Sequence, residues 1–292
     1  MEEPKKKKDK QSNVIIRLIV TTYMYVLISF AMVLAPILQM ICIVLFLPLI
    51  ICSKKARLTI LSYCFRICMF LALSPLNPFW KLKTIRKPRK GYRPTTTVLF
   101  VNHLSSLDPW VVNAVTVSWN LKYVFKASLL RIPFGGQAIY LSGDMPIHFT
   151  KGKGGWEVKP GSVAQVMKTC KEYQSMNMGT IVFPEGTRSL TGQLQFFKPG
   201  FFKFAIENNC EILPCALHGS GKLWPVKAKL VDMGTVYFSF GEPFYPTPGM
   251  TVDQLIEKTR NAIFELIKEF PDYDPETDKL ATEMTKWRGH GL

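Results

Sequence analysis

The chain has 292 residues, 48% of them apolar and 20% charged, with a mean hydropathy of +0.11, which excludes a disordered chain and a fibrous repeat. The formal charge of +16 suggests a nucleic-acid binder until it is mapped: residues 1–93 hold 17 Lys and Arg against 3 acids, whereas residues 94–292 hold 20 against 18. The nearly neutral remainder offers no track for a phosphate backbone, so nucleic acid is set aside as a partner.

The basic residues bracket apolar sequence. They form Lys5 to Lys8 with Lys10, then Lys54, Lys55 and Arg57, then the acid-free run Lys81, Lys83, Arg86, Lys87, Arg89, Lys90 and Arg93. That arrangement points to an anionic phospholipid surface, which attracts juxtamembrane Lys and Arg by about 1 kcal/mol each. Between them, Leu18 to Ser53 runs for 36 residues without a formal charge, too long for a signal peptide or one simple span of about 20 residues. Pro36 at its midpoint and Pro48 near its end predict a hairpin or a strongly kinked helix, with one long tilted span as the alternative. Basic flanks on both sides favour a cytoplasmic location for both ends. Leu58 to Leu73 is apolar except for Thr59, Ser62 and Arg66 at helical spacing, the pattern of a helix lying in the membrane interface. Residues 1–93 are therefore read as a basic and apolar membrane-anchoring segment, and 94–292 as a catalytic domain.

From Thr95 the pattern changes. Thr96 to Val101, Lys122 to Lys126, Thr180 to Phe183, Glu211 to Leu217 and Thr235 to Phe240 read as strands, and Pro109 to Val117, Ser162 to Tyr173 and Phe201 to Asn208 as helices. A last helix opens with the capping box Thr251 and Gln254 and ends at Pro271. The alternation predicts an α/β domain with helices on both faces of a largely parallel sheet, whose active site lies in the loops leaving the carboxyl ends of the strands.

Two such loops carry reactive residues. The first, Asn102 to Asp108, holds His103 and Asp108; a turn opening into a helix folds the carboxylate back onto the imidazole, fixing its tautomer and leaving the other ring nitrogen to take a proton from a hydroxyl. The bland alternative is that Asp108 caps the following helix. The second, Phe183 to Ser189, places Glu185, Gly186, Thr187 and Arg188 together, so that backbone amides and a guanidinium converge on an anion such as phosphate. Its bland alternative is a surface turn in which Arg188 pairs with Glu185, worth under about 1 kcal/mol. The seven cysteines and four histidines suggest neither a disulfide framework nor a metal site. A serine hydrolase would need GxSxG, and Gly219, Ser220, Gly221 does not supply it; a P-loop fails because Leu223 follows Lys222.

These blocks resemble the glycerolipid acyltransferase family typified by 1-acyl-glycerol-3-phosphate acyltransferases, over roughly Leu99 to Gly219. Asn102 to Asp108 matches the family's NHxSxxD block and implies His103 as general base with Asp108 as its orienting partner. Phe183 to Ser189 matches FPEGTRS and implies an acceptor-phosphate site made of Glu185, Gly186, Thr187 and Arg188. Lys198 and Gly200 look like the family's short basic-glycine segment, and Ile212 to Ala216, with Pro214, like the block placed beside the acyl donor. One block departs: Gly143 leads to His148 and Phe149 where the family carries an arginine, whose charge His148, Lys151 or Lys153 would replace unless Arg188 and Lys198 suffice.

The resemblance implies direct acyl transfer from an acyl thioester to the free hydroxyl of lysophosphatidic acid, making phosphatidic acid. Acyl-CoA, or an acyl carrier protein, is then a co-substrate, and neither cofactor nor metal is needed. It also implies a membrane location, read as the endoplasmic reticulum with the catalytic domain on the cytoplasmic face. Another lysophospholipid acceptor, transacylation between phospholipids, or a catalytically silent tether with the same fold are the alternatives.

Overall fold

A computed structural model describes residues 12–152 and 155–282, with the side chains of residues 151–157 outside the description. Lys5 to Lys8, Lys10, Lys153 and the Lys151 side chain therefore lie outside it. Helices α1 (Val14–Leu45), α2 (Leu47–Cys52) and α3 (Lys54–Leu73) come first, then β1 (Trp80–Thr84), β2 (Thr97–Val101), α4 (Asp108–Val115) and β3 (Leu121–Lys126). After a 3₁₀ turn at Ala127–Arg131 follow α5 (Gly135–Leu141), β4 (Met145–Ile147), a hairpin of β5 (Phe149–Gly152) and β6 (Gly155–Val158), α6 (Ser162–Ser175) and β7 (Gly179–Val182). The chain continues through α7 (Gly200–Glu207), β8 (Glu211–His218), α8 (Ser220–Leu223), β9 (Gly234–Phe240) and α9 (Val252–Lys268).

Seven strands make one sheet in the order β1-β9-β8-β2-β7-β3-β4. β8, β2, β7, β3 and β4 are mutually parallel, β9 runs antiparallel to β8, and β1 runs parallel to β9. The expected largely parallel α/β architecture is what the chain adopts. Alternation along the strands divides the core: Leu99, Val101, Ile181 and Leu213 face the side covered by α1, α3 and α4, while Val98, Phe100, Val182 and Ile212 face α6, α7 and α9. β2 is buried at every position, as a central strand covered on both faces must be. α9 carries the complete Thr251–Gln254 capping box and buries Leu255, Ile263, Leu266 and Ile267.

The N-terminal segment differs from expectation in three ways. First, the 36-residue apolar stretch does not turn at Pro36. Helix α1 runs through it, and the chain turns at Phe46 and again at Ser53, with Pro48 in the first turn of α2, where its missing N–H costs no hydrogen bond. α3 packs back along α1, and both helices are long and apolar enough to cross a membrane.

Second, the polar stripe of α3 points inward. Arg66 is 2% exposed; its guanidinium donates to Asn113 Oδ1 at 2.9 Å, Thr116 O at 2.6 Å, Thr116 Oγ1 and the Trp119 carbonyl. Ser62 is buried and Thr59 Oγ1 accepts from Asn120 at 2.8 Å. A buried charge held by four acceptors serves as a docking pin between α3 and α4, and no headgroup reaches it. The outward surface is apolar instead: Val26, Phe30, Val33, Ile37, Met40 and Val44 of α1, at three- and four-residue spacing, and Ile67 and Leu71 of α3 are all exposed.

Third, β1 arises within the basic run of residues 1–93 and forms an edge of the main sheet. Trp80 is buried, with Nε1 donating to Asp232 O at 2.8 Å, while Lys81 and Lys83 point outward. Exposed lysines on an edge strand discourage pairing with another chain, so part of this basicity serves the sheet. Removing residues 1–93 would strip away an edge strand and the Arg66 pin together.

Candidate active site

The loop after β2 is built around one carboxylate. Asp108, the first residue of α4, turns back: its Oδ2 accepts from Leu104 N at 2.6 Å and Ser105 N at 2.8 Å and lies 2.7 Å from His103 Nδ1. Asp108 is 0% exposed. It thus organises the preceding loop rather than capping its own helix, whose start shows no side-chain cap bond. With Nδ1 engaged as donor, Nε2 is the nitrogen left to accept a proton. The His103 ring stacks on Phe183, with centroids 4.2 Å apart, which fixes the plane of the imidazole.

The neighbouring strand β7 delivers Phe183 to Ser189, and backbone bonds lock this loop to the first. Ser189 N donates to His103 O at 2.8 Å. Arg188 Nη1 donates to Ser106 Oγ, so the guanidinium touches the histidine loop, and the surface pairing of Arg188 with Glu185 is absent. Glu185 has a different place from the one the resemblance implies. It is 2% exposed, and its two oxygens accept from His103 N at 2.6 Å and Gln195 N at 3.0 Å. Burial pushes its carboxyl up to about 8, against the two N–H bonds that favour the ionised form. With both oxygens taken by backbone donors from the His103 and Gln195 segments, Glu185 staples the two loops together.

Gly186 and Lys198 are adjacent and exposed. Gly186 has φ +70°, the left-handed region open to glycine at no steric cost, and a Cβ there would touch the Lys198 stem at 3.4 Å. Lys198 N is fixed by Pro184 O at 2.8 Å. Thr187 and Arg188 are half-buried. Gly186 and Lys198 thus lie side by side, and Arg188 reaches the histidine loop at Ser106.

Pro214 does not join them. It is buried mid-strand in β8 opposite Phe100, with its carbonyl accepting from Gly241 at 2.8 Å where pairing with β9 ends. Its missing N–H falls where the ladder is already broken, which gives it a sheet role away from the strand ends. His148 follows β4, three strands from β2, roughly 14 Å away at about 4.8 Å per strand. Its backbone N–H donates to Ser162 Oγ at 2.8 Å. It is outside hydrogen-bond reach of His103.

Sequence reading missed Asn102 as a working residue. Its side-chain amide donates to Leu217 O at 2.9 Å and accepts from Leu217 N at 2.8 Å, extending the β2–β8 ladder by one side chain and setting the angle at which His103 leaves the strand. The signal was a polar residue at a strand end; its partner lies 115 residues away. Among the described residues no cluster of His, Cys, Asp and Glu could hold a metal ion.

Comparison with known proteins agrees with this geometry. The model of the family described as Acyltransferase matches residues 84–218, the stretch that holds both loops. The 1-acyl-sn-glycerol-3-phosphate acyltransferase BAT2, chloroplastic, of Brassica napus is 28% identical over 191 residues, covering 65% of this chain and 52% of that protein. A 1-acyl-sn-glycerol-3-phosphate acyltransferase of Helicobacter pylori is 31% identical over 151 residues, covering 51% and 60%. The chain thus spans about half to three-fifths of these curated relatives. The crystal structure of the 1-acyl-sn-glycerophosphate (LPA) acyltransferase PlsC from Thermotoga maritima shares the fold, with a TM-score of 0.65 at 19% identity, covering 87% of this chain and 96% of that one. Paired loops on adjacent parallel strands, a family model matching residues 84–218 and a shared fold converge: that stretch of the chain is similar to the family described as Acyltransferase.

Proposed function

We propose that the protein transfers an acyl chain from an acyl thioester to the free hydroxyl of lysophosphatidic acid, giving phosphatidic acid. The observation that carries this reading is the rigid junction of two loops: an imidazole held by a buried carboxylate at 2.7 Å, bonded through its own backbone to the loop that presents Arg188. His103 Nε2 removes the proton from the acceptor hydroxyl, the oxygen attacks the thioester carbonyl, and the imidazolium returns the proton to the departing thiolate sulfur. Asp108 stabilises the imidazolium without itself taking the proton. Arg188 and Lys198 hold the acceptor phosphate and thereby place its hydroxyl. Acyl-CoA is the proposed donor. The names of the relatives support the acceptor; the donor and the pathway rest on the chemistry of the site.

Residence in a membrane is supported by the exposed apolar face of α1 and α3. Placement at the cytoplasmic side of the endoplasmic reticulum is proposed on the basic flanks of the apolar stretch alone; BAT2 is named chloroplastic.

The test is purified protein in mixed micelles with labelled acyl-CoA and a panel of lysolipids. Label in lysophosphatidate is expected; transfer only from intact phospholipid, or only to an acceptor without a phosphomonoester, would overturn the reading. Two further results are expected. Arg188→Ala raises KM for lysophosphatidate by about 10- to 100-fold, the worth of a charge-assisted hydrogen bond to phosphate, and leaves acylation of a phosphate-free monoacylglycerol nearly unchanged. Phe30→Lys with Ile37→Lys, both on the exposed face of α1, lowers partitioning into neutral phosphatidylcholine vesicles by about tenfold or more, measured by co-sedimentation, while activity on micellar substrate persists.

A further inference from the structure

The end of the sheet opposite the catalytic loops carries a second built surface. There a groove of about 410 Å³ opens between the chain after β1 and the loop joining α4 to β3. Four cations line it, Lys87, Arg89, Lys90 and Arg93, with no acid among the lining residues. Of the lining cations, Arg89 pairs with Glu242 at 4.0 Å, and both side chains are more than three-quarters exposed, a pairing of negligible strength in water. The wall is aromatic and fixed: Tyr92 and Trp119 meet edge to face at 5.6 Å, and the Tyr92 hydroxyl is anchored on Glu211. Like-charged side chains gathered against a rigid apolar wall are mutually repulsive, an arrangement relieved by an anion.

What the groove borders identifies that anion. Ser118 and Trp119, at its rim, are the residues that dock α3: Tyr63 donates to Ser118 O at 2.8 Å, and Arg66 reaches the Trp119 carbonyl. Tyr63 lies on the same helical stripe as the exposed Ile67 and Leu71. The cationic groove is thus joined to α3 through Ser118 and Trp119, while α1 borders the catalytic end through Tyr25 and Trp224, whose rings are 5.7 Å apart. Both ends of the sheet open at margins of one lipid-facing surface. We propose that this groove is an accessory site for an anionic phospholipid, its headgroup phosphate held by Arg89, Arg93 and the two lysines and its chains lying along Ile67 and Leu71. The site is separate from acyl transfer; it rests on the membrane reading of α1 and α3 and stands whether or not lysophosphatidate is the acceptor. Its occupation docks the chain with the catalytic margin against the bilayer, so activity on bilayer substrate rises with anionic lipid content.

The test uses the full chain and vesicles of phosphatidylcholine alone or mixed with phosphatidylglycerol. Wild type is expected to prefer the anionic vesicles, and Lys87→Gln/Arg89→Gln/Lys90→Gln/Arg93→Gln to lose that preference by about tenfold at low salt while binding neutral vesicles as wild type does. An unchanged preference would overturn the proposal, as would equal loss of binding to both vesicles. Phosphatidylglycerol carrying a photoreactive acyl chain provides a second readout that does not depend on the variant folding: label is expected on α3 between Tyr63 and Leu71, and label confined to other elements, or abolished by soluble coenzyme A, would contradict it. Because both readouts are of binding, their failure is distinguishable from failure of the acyl-transfer reading, which the micellar assay reports.

Discussion

Replacing His103 by Ala is expected to lower kcat by about 10²- to 10⁴-fold, the range a positioned general base supplies, with the melting temperature and vesicle binding close to wild type. The ring is only partly buried, its 17% side-chain exposure reflecting a position at the mouth of the site, so its removal leaves no deep cavity. Asp108→Asn is expected to cost about 10²-fold or more, for a different reason. Three donors converge on Asp108 Oδ2: the Leu104 and Ser105 amides and His103 Nδ1. An asparagine oxygen can keep the backbone bonds, but a neutral amide neither stabilises the imidazolium nor holds the tautomer as firmly. A double variant no slower than the slower single one would show that the two act as one unit.

Glu185→Ala is expected to damage stability and catalysis together. It removes the acceptor of the buried Gln195 amide and of the half-buried His103 amide, at about 1–3 kcal/mol for a buried group and less for one that water reaches, and that loss should appear in denaturant unfolding. The catalytic loop would lose one of its ties to the 183–189 loop, keeping those through Ser189 and Arg188, and kcat would fall. Glu185→Gln keeps one acceptor and turns a donor toward the other amide, giving an intermediate result. The pH dependence separates this from loss of a phosphate ligand. Because the folded carboxyl holds its proton up to about 8, above its ordinary value near 4.5, the folded state binds more protons than the unfolded chain in that window. Stability therefore falls as pH rises from about 4.5 to 8. Glu185→Gln should flatten that slope, whereas KM for the acceptor should move less than it does on Arg188→Ala.

Sequence legibility followed the range of the interactions. β2, β7 and β8 were readable because central parallel strands are continuous β-branched and apolar runs, β3 and β9 because they are short β-branched and aromatic runs, and α9 because its capping box and stripe are local. β1 was hidden because Trp80, Lys81, Leu82, Lys83 alternates as an edge strand must, and the same lysines read as a basic run. Arg66 kept the spacing of a surface stripe; its orientation is decided by carbonyls at Thr116 and Trp119, some 50 residues on. Pro36 and Pro48 were read as making a hairpin or a strongly kinked helix; the turn falls at Phe46 to Ser53, beyond Pro36, because an apolar helix packed along a partner tolerates an internal proline that a free helix does not.

In the site, spacing alone suggested the His103–Asp108 contact, since both partners sit in one turn. The place of Glu185 was illegible, because a carboxylate within a phosphate-type loop gives no sign that its two acceptors are consumed by residues 82 and 10 positions away. Asn102 and Phe183 escaped for the same reason: their partners arrive on other strands.

An acceptor must lie between Arg188 and His103. A crystal structure with a non-reactive lysophosphatidate analogue bound should place its phosphate on Arg188 and its free hydroxyl, or an isosteric group, about 2.6–3.2 Å from His103 Nε2, the reach of a general base. A phosphate seated away from Arg188, or a hydroxyl beyond one bridging water from that nitrogen, would contradict the account.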